Sequence, residues 1–143
     1  MLGQDVRTYL CTVSGIISYF SPKATISGIF LTQAPTGSLM PYVVVEVSEG
    51  PRELITVSKT EETASVRVTV NCGPAQMYKG ANIILEVRKA LENYRGDMGG
   101  SKDIVCKCSA IRDWAGTGGC YRYAVTATIK HIETRNKPVG SVG

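Results

Sequence analysis

The sequence has one histidine, no internal repeat, no low-complexity segment, and no apolar run approaching the roughly 18 consecutive residues a membrane span requires. Each absence removes a class of function. Without a long apolar run no helical membrane span is expected. The first residues lack a basic segment leading into a continuous apolar stretch and a small-residue cleavage site, so no secretion signal is expected and the five cysteines read as reduced thiols. With His131 as the only histidine, nucleophilic catalysis by a Cys–His pair would have to join it to Cys120, which follows a glycine-rich loop. Those two residues lie at opposite ends of one expected strand, too far apart to act together within a subunit. Cys106 and Cys108 are spaced like a metal pair, but two residues apart on a strand they point the same way into a core. No second Cys–Cys or Cys–His pair at zinc spacing accompanies them. No catalytic residue, no cofactor and no metal site is assigned.

What is present reads as one folded unit. At 143 residues, 43% hydrophobic and 20% charged, the chain is long enough for one core and short for two. A single domain is expected over residues 1–133, with 134–143, which has no periodicity, as a flexible tail. The clearest stretch is Ala64 to Gly96. Val66, Val68, Val70 and Cys72 alternate with Arg67, Thr69 and Asn71, the period of a half-buried strand. Gly73-Pro74 stops that strand, and Pro74 suits the first turn of a helix, where its missing amide proton has no partner. A helix over Ala75 to Tyr94 follows, with Met77, Ala81, Ile84, Val87, Leu91 and Tyr94 as its apolar stripe.

Asp5 is placed to cap an N-terminal helix carrying Val6, Tyr9 and Leu10, which Gly15 ends or interrupts. Ile16 to Ala24 fits either a short helix or a packed loop. Strands are expected at Ile29–Leu31, Tyr42–Val47, Glu53–Ser58, Asp103–Arg112 and Tyr121–Ile129, with turns at Glu49-Gly50-Pro51 and at Lys59 to Thr63. Gly96, Gly99 and Gly100 read as a flexible connection. The fold class is therefore α+β: an antiparallel sheet with one long helix and a short N-terminal helix packed on one face. Val43, Val45, Val47, Ile104, Cys106, Cys108, Tyr123, Val125 and Ile129 belong with the valines of the Ser65–Cys72 strand under the helices. The opposite face would carry Arg67, Lys107, Arg122 and Lys130.

That basic face and a net charge of +4 admit an alternative function, a nucleic-acid-binding α+β module. Tyr121 and Tyr123, however, alternate out of phase with Arg122, and a base-stacking platform needs aromatic and basic groups on one open face. The Gly116–Gly119 stretch joins two strands rather than a strand and a helix, so it reads as a hairpin loop and not a phosphate cradle. Glu61 and Glu62 read as solvated charges in a turn.

Local patterns and the order of elements then point to a family. Ala34-Pro-Thr-Gly37, Met40-Pro-Tyr-Val-Val44, Ser65-Val-Arg-Val-Thr-Val70 and Val87-Arg-Lys-Ala-Leu91 resemble the tail-terminator or tail-completion proteins of long-tailed bacteriophages, over about Ile29 to Ile132. The resemblance implies a non-enzymatic virion protein in the tail–neck region, assembled in the host bacterial cytoplasm. It would close as a homo-oligomeric, hexameric ring on the head-proximal end of the tail. Its partners would be the tail-tube protein and the head–tail connector or stopper, with DNA passing through the lumen without sequence-specific binding. Candidate assembly-interface residues on that reading are Pro35, Gly37, Pro41, Tyr42, Arg67, Lys107, Arg122 and Lys130, with the Glu53–Thr63 hairpin beside them.

Overall fold

A computed structural model describes residues 2–19, 28–34, 40–56, 59–99, 101–115 and 120–134, with side chains at 49–56, 59–60 and 133–134 outside the description. In chain order the elements are α1 (Leu2–Leu10), α2 (Ser14–Ile17), β1 (Ile29–Leu31), β2 (Tyr42–Thr56), β3 (Lys59–Cys72), a 3-10 turn (Pro74–Gln76), α3 (Met77–Leu91), β4 (Arg95–Met98), β5 (Ser101–Cys108), β6 (Arg112–Ala115) and β7 (Tyr121–Thr134). The strands form one sheet in the order β1-β2-β3-β7-β5-β4, with β6 beside β7. The helices pack on one face, so the α+β expectation holds. The sheet is antiparallel except at its edge, where β1 runs parallel to β2.

The helical face is apolar for the reason the alternation implies. Val43, Val45, Val66, Val68, Val70, Ile104, Cys106, Val125, Ala127 and Ile129 are all buried there against Val6 and Leu10 of α1 and Ile83, Ile84, Val87 and Leu91 of α3. Val47, expected inside, is exposed; its neighbour on α1 is Gly3, which has no side chain to cover it.

The start of α3 is stitched by Gln76. Its Oε1 accepts the Gly73 N–H at 3.2 Å, while its Nε2 donates to the Met40 carbonyl at 2.9 Å, tying the helix start to the chain before β2. The far end is held by Tyr9, which donates to the Ala90 carbonyl at 3.1 Å and meets Tyr94 edge-on at 4.9 Å. Helix α3 ends at Leu91 rather than Tyr94, because Glu92 is extended and Asn93 adopts φ 58°. At the N-terminus Asp5 is not a cap. It lies inside α1 and its Oδ2 accepts from Ser101 Oγ at 2.7 Å.

Four expectations need correction. The Glu49–Pro51 turn is a register shift between Glu49 and Arg52 inside one long strand β2, a bulge of the kind that admits proline in a sheet. Residues Lys59 to Thr63 therefore belong to β3, and the β2–β3 hairpin turns further out. As a result Glu61 and Glu62 are ladder residues on opposite faces: Glu61 reaches Lys130 at 3.7 Å, and Glu62 is buried opposite His131. The stretch Arg95–Met98 is a strand, paired with β5, not a flexible connection. The last strand runs beyond Ile129 to Thr134, the first residue of the expected tail, because β3 offers a partner along its whole length. The rest of that tail lies outside the described residues.

Asp103–Arg112 is likewise two strands. Ser109 breaks them: its N–H donates to the Thr126 carbonyl at 2.8 Å, and its Oγ accepts the Thr126 N–H at 3.1 Å, so one side chain substitutes for a ladder bond. Beyond this break β6 resumes pairing with β7 and aligns Arg112 with Ala124 and Trp114 with Arg122.

Candidate assembly surface

Register places most of the candidate residues on the face away from the helices. Across the strands one row reads Trp114, Arg122, Asn71, Tyr42, and the next reads Arg112, Ala124, Thr69, Val44, Phe30. A third row carries Thr126, Arg67 and Glu46, and further along the same face lie Lys107 and Lys130. The structure thus brings Tyr42, Arg67 and Arg122 together and sets Lys107 and Lys130 beyond them. Pro41 precedes Tyr42 at the start of β2. Pro35 and Gly37 lie outside the described residues.

The face is partly roofed. Val44, Thr69, Asn71 and Ala124 are only 8%, 7%, 5% and 4% exposed although none of the described helices covers them. Their small side chains form a floor, and Trp114, Arg112, Arg122, Arg67, Tyr42 and Phe30 stand around it. The consequence is a pair of adjoining depressions of about 360 Å³ each, both bordered by Trp114 and Arg67.

The guanidinium groups are oriented by neighbours. Arg122 Nε donates to Asn71 Oδ1 at 2.8 Å. Arg67 pairs with Glu46, its direct cross-strand neighbour, at 3.3 Å. Both groups are largely exposed, so this pair contributes orientation more than stability. Tyr42 is braced edge-on by Phe30 with ring centroids 6.1 Å apart.

Trp114, Arg112, Phe30 and Asn71 were missed by sequence reasoning. The alternation in Arg112-Asp-Trp-Ala115 was the available signal, but its phase relative to Arg122 depends on the break at Ser109. The expectation that aromatic and basic side chains face opposite ways holds for Tyr121 and Tyr123, whose rings are 5.2 Å apart on the helical face, and fails for Trp114, Tyr42 and Phe30.

The cysteines are not an assembled site. Cys72, Cys106 and Cys120 are buried and Cys11 and Cys108 half-buried, all as free thiols. Cys120, considered above as an exposed nucleophile, lies 3.8 Å from Asn71 Oδ1 beneath the rim. Among the described residues no group of three or more His, Cys, Asp or Glu is placed to hold a metal ion. The Cys106 thiol is pushed far up, first by the hydrogen bond it shares with Cys108 and then by burial. That same bond holds Cys108 below the usual thiol range. Burial raises Cys72. Alkylation of the native protein is therefore expected to modify Cys108 at lower pH and earlier than Cys72 or Cys106, which should react only on unfolding. Peptide mass spectrometry over a pH series checks this, and early modification of Cys72 or Cys106 would contradict their placement.

No protein-family model matches the chain, and no curated protein matches it. Among solved structures, an α+β chain with this arrangement of helices on one face of a sheet is found in a virus-like particle. It is a chain of the "Virion of native gene transfer agent (GTA) particle", with a TM-score of 0.64 and 12% sequence identity, covering 92% of this chain and 94% of that one. At that identity the likeness is one of fold.

Proposed function

We propose that the chain is a structural virion protein of a tailed phage or phage-like particle, acting at the head-proximal end of the tail as a terminator ring. The observation that carries this reading is the end-to-end fold correspondence with a chain of the gene transfer agent virion. The family resemblance in the Pro-Tyr strand, the Ser65–Val70 strand and α3 narrows it to the terminator role, with no catalysis and no cofactor assigned.

A ring requires two different surfaces on each subunit, meeting head to tail, with closure setting the copy number. The Pro35–Pro41 stretch and the Glu53–Thr63 part of the β2–β3 hairpin are the two candidates, since extended segments and sheet edges can pair with a neighbour's strand. The tail-tube protein and the connector or stopper would occupy the two ends of the ring, with DNA passing through the lumen. Purified protein is expected to scatter light as a closed oligomer, six copies of 15.4 kDa giving roughly 92 kDa, and to show rings by electron microscopy. In the particle that encodes it, removal of the protein should leave tails of irregular length that fail to join heads. Normal tails joined to heads in its absence would rule out the terminator role.

A further inference from the structure

The face described above has a property that ring assembly does not use. Trp114 and Tyr42 close the two ends of one row, about 14 Å apart across three strand spacings. Arg122 stands between them, and Arg112 and Arg67 stand in the next two rows. Trp114 is 37% exposed, so part of its ring is open to a ligand. The floor between the aromatics is Val44, Thr69, Asn71 and Ala124, low enough to leave the two depressions. Arg122 engages its Nε with Asn71 and Arg67 one terminal nitrogen with Glu46, so each guanidinium keeps further N–H donors beyond these bonds.

A ligand for this surface must present flat π faces at about the spacing of the aromatics and negative charge between them. An acidic peptide satisfies only the arginines. Duplex DNA also satisfies only the arginines, since its base faces are stacked away. A single strand supplies both, because each unstacked base has a π face and each link a phosphate. We propose that this face binds single-stranded nucleic acid, with bases stacked on Trp114 and Tyr42 and phosphates held by Arg67, Arg112 and Arg122. The proposal is independent of the terminator reading, which rests on the overall fold, and either can fail alone.

Trp114 is the chain's only tryptophan, so its fluorescence reports on this site without labelling. Titration of the full-length protein with an oligothymidylate should quench that fluorescence. The logarithm of the binding constant should fall with the logarithm of salt concentration by about 0.7 for each phosphate contacted. By anisotropy of a labelled oligothymidylate, Trp114→Ala should weaken binding by about tenfold and Trp114→Phe far less. Arg112→Gln should reduce the salt slope by about 0.7. Duplex DNA of equal length and polyglutamate should bind more weakly and leave the fluorescence largely unquenched. The proposal is overturned by absence of oligothymidylate binding at low salt. Equal binding of duplex would make the face a general phosphate-backbone surface, and equal binding of polyglutamate an acidic-protein surface. Either result, or Trp114→Ala binding as wild type, also overturns it.

Discussion

Alanine at Ile84 or at Leu91 is expected to destabilise the protein by about 2–5 kcal/mol, the range for truncating a large buried aliphatic side chain when the cavity only partly collapses. Both positions qualify, since Ile84 is 1% and Leu91 0% exposed in the core between α3 and the sheet. Against a total stability of about 5–15 kcal/mol for a folded domain, either change removes a large share. Collapse is hindered at Leu91 because Tyr9 and Tyr94 lock the same end of α3 through their ring contact and the Tyr9 hydrogen bond to Ala90. Lys89→Ala serves as the control. The Lys89 side chain is 74% exposed and its pairing with Glu86 is 3.5 Å long, so its removal should change stability by no more than about 0.5 kcal/mol. Urea midpoints for the three variants check the assignment, and equal small shifts would mean that another face of α3 is buried.

The helix face was legible because three-to-four spacing survives any choice of neighbours, yet the stripe differs at its start. Met77 was expected inside and is exposed, while Gly80 and Ile83 are inside. Met77 and Ile84 belong to the same regular helix and lie only about 20° apart around it, so Met77 is exposed by its place in the first turn of α3 and not by a change of phase. Glycine has no apolar side chain and so adds nothing to an apolar stripe. At position 80 its lack of a side chain is what allows the helix to approach β3.

Period-two alternation located Val43 and Val45 of β2 and the valines of β3 correctly, since a strand with one covered face shows its phase locally, whereas Val47 is exposed. Strand ends were less legible. Gly50-Pro51 has the composition of a turn, and only the long-range pairing of β2 with β3 makes it a bulge. The aromatic and basic face was least legible of all. Arg122 and Arg67 announce themselves by alternation, but Trp114 joins them only because Ser109 interrupts the β5–β6 edge and resets the phase. Side chains from five strands meet there, and register between distant strands is not written in any one of them.

Substitution of Gly80 should produce the other large effect, and its size should grow with side-chain volume. A Cβ at this position would sit 2.6 Å from Cys72 Sγ on β3 and 3.1 Å from the Tyr123 ring on β7. Cys72 has little room to move, since it is fully buried and its Sγ donates to the Tyr121 carbonyl at 3.4 Å. Gly80→Ala gains about 1 kcal/mol of helix propensity. Against it stands overpacking of about 1–3 kcal/mol, so the net change should be a modest loss. Gly80→Val recovers less propensity and adds two further carbons at the contact. It should therefore approach or exceed about 3 kcal/mol, the top of the overpacking range. Gly73 provides the contrast within the same segment. Its backbone is extended at φ −79°, and a Cβ there would meet only Gln76 Oε1 at an ordinary 3.7 Å. Gly73→Ala should stay within about 0.5 kcal/mol of the parent protein. Denaturant midpoints for the three variants give the ordering directly. Equal stability of Gly80→Val and Gly73→Ala would mean that α3 does not pack on Cys72 and Tyr123 at that distance.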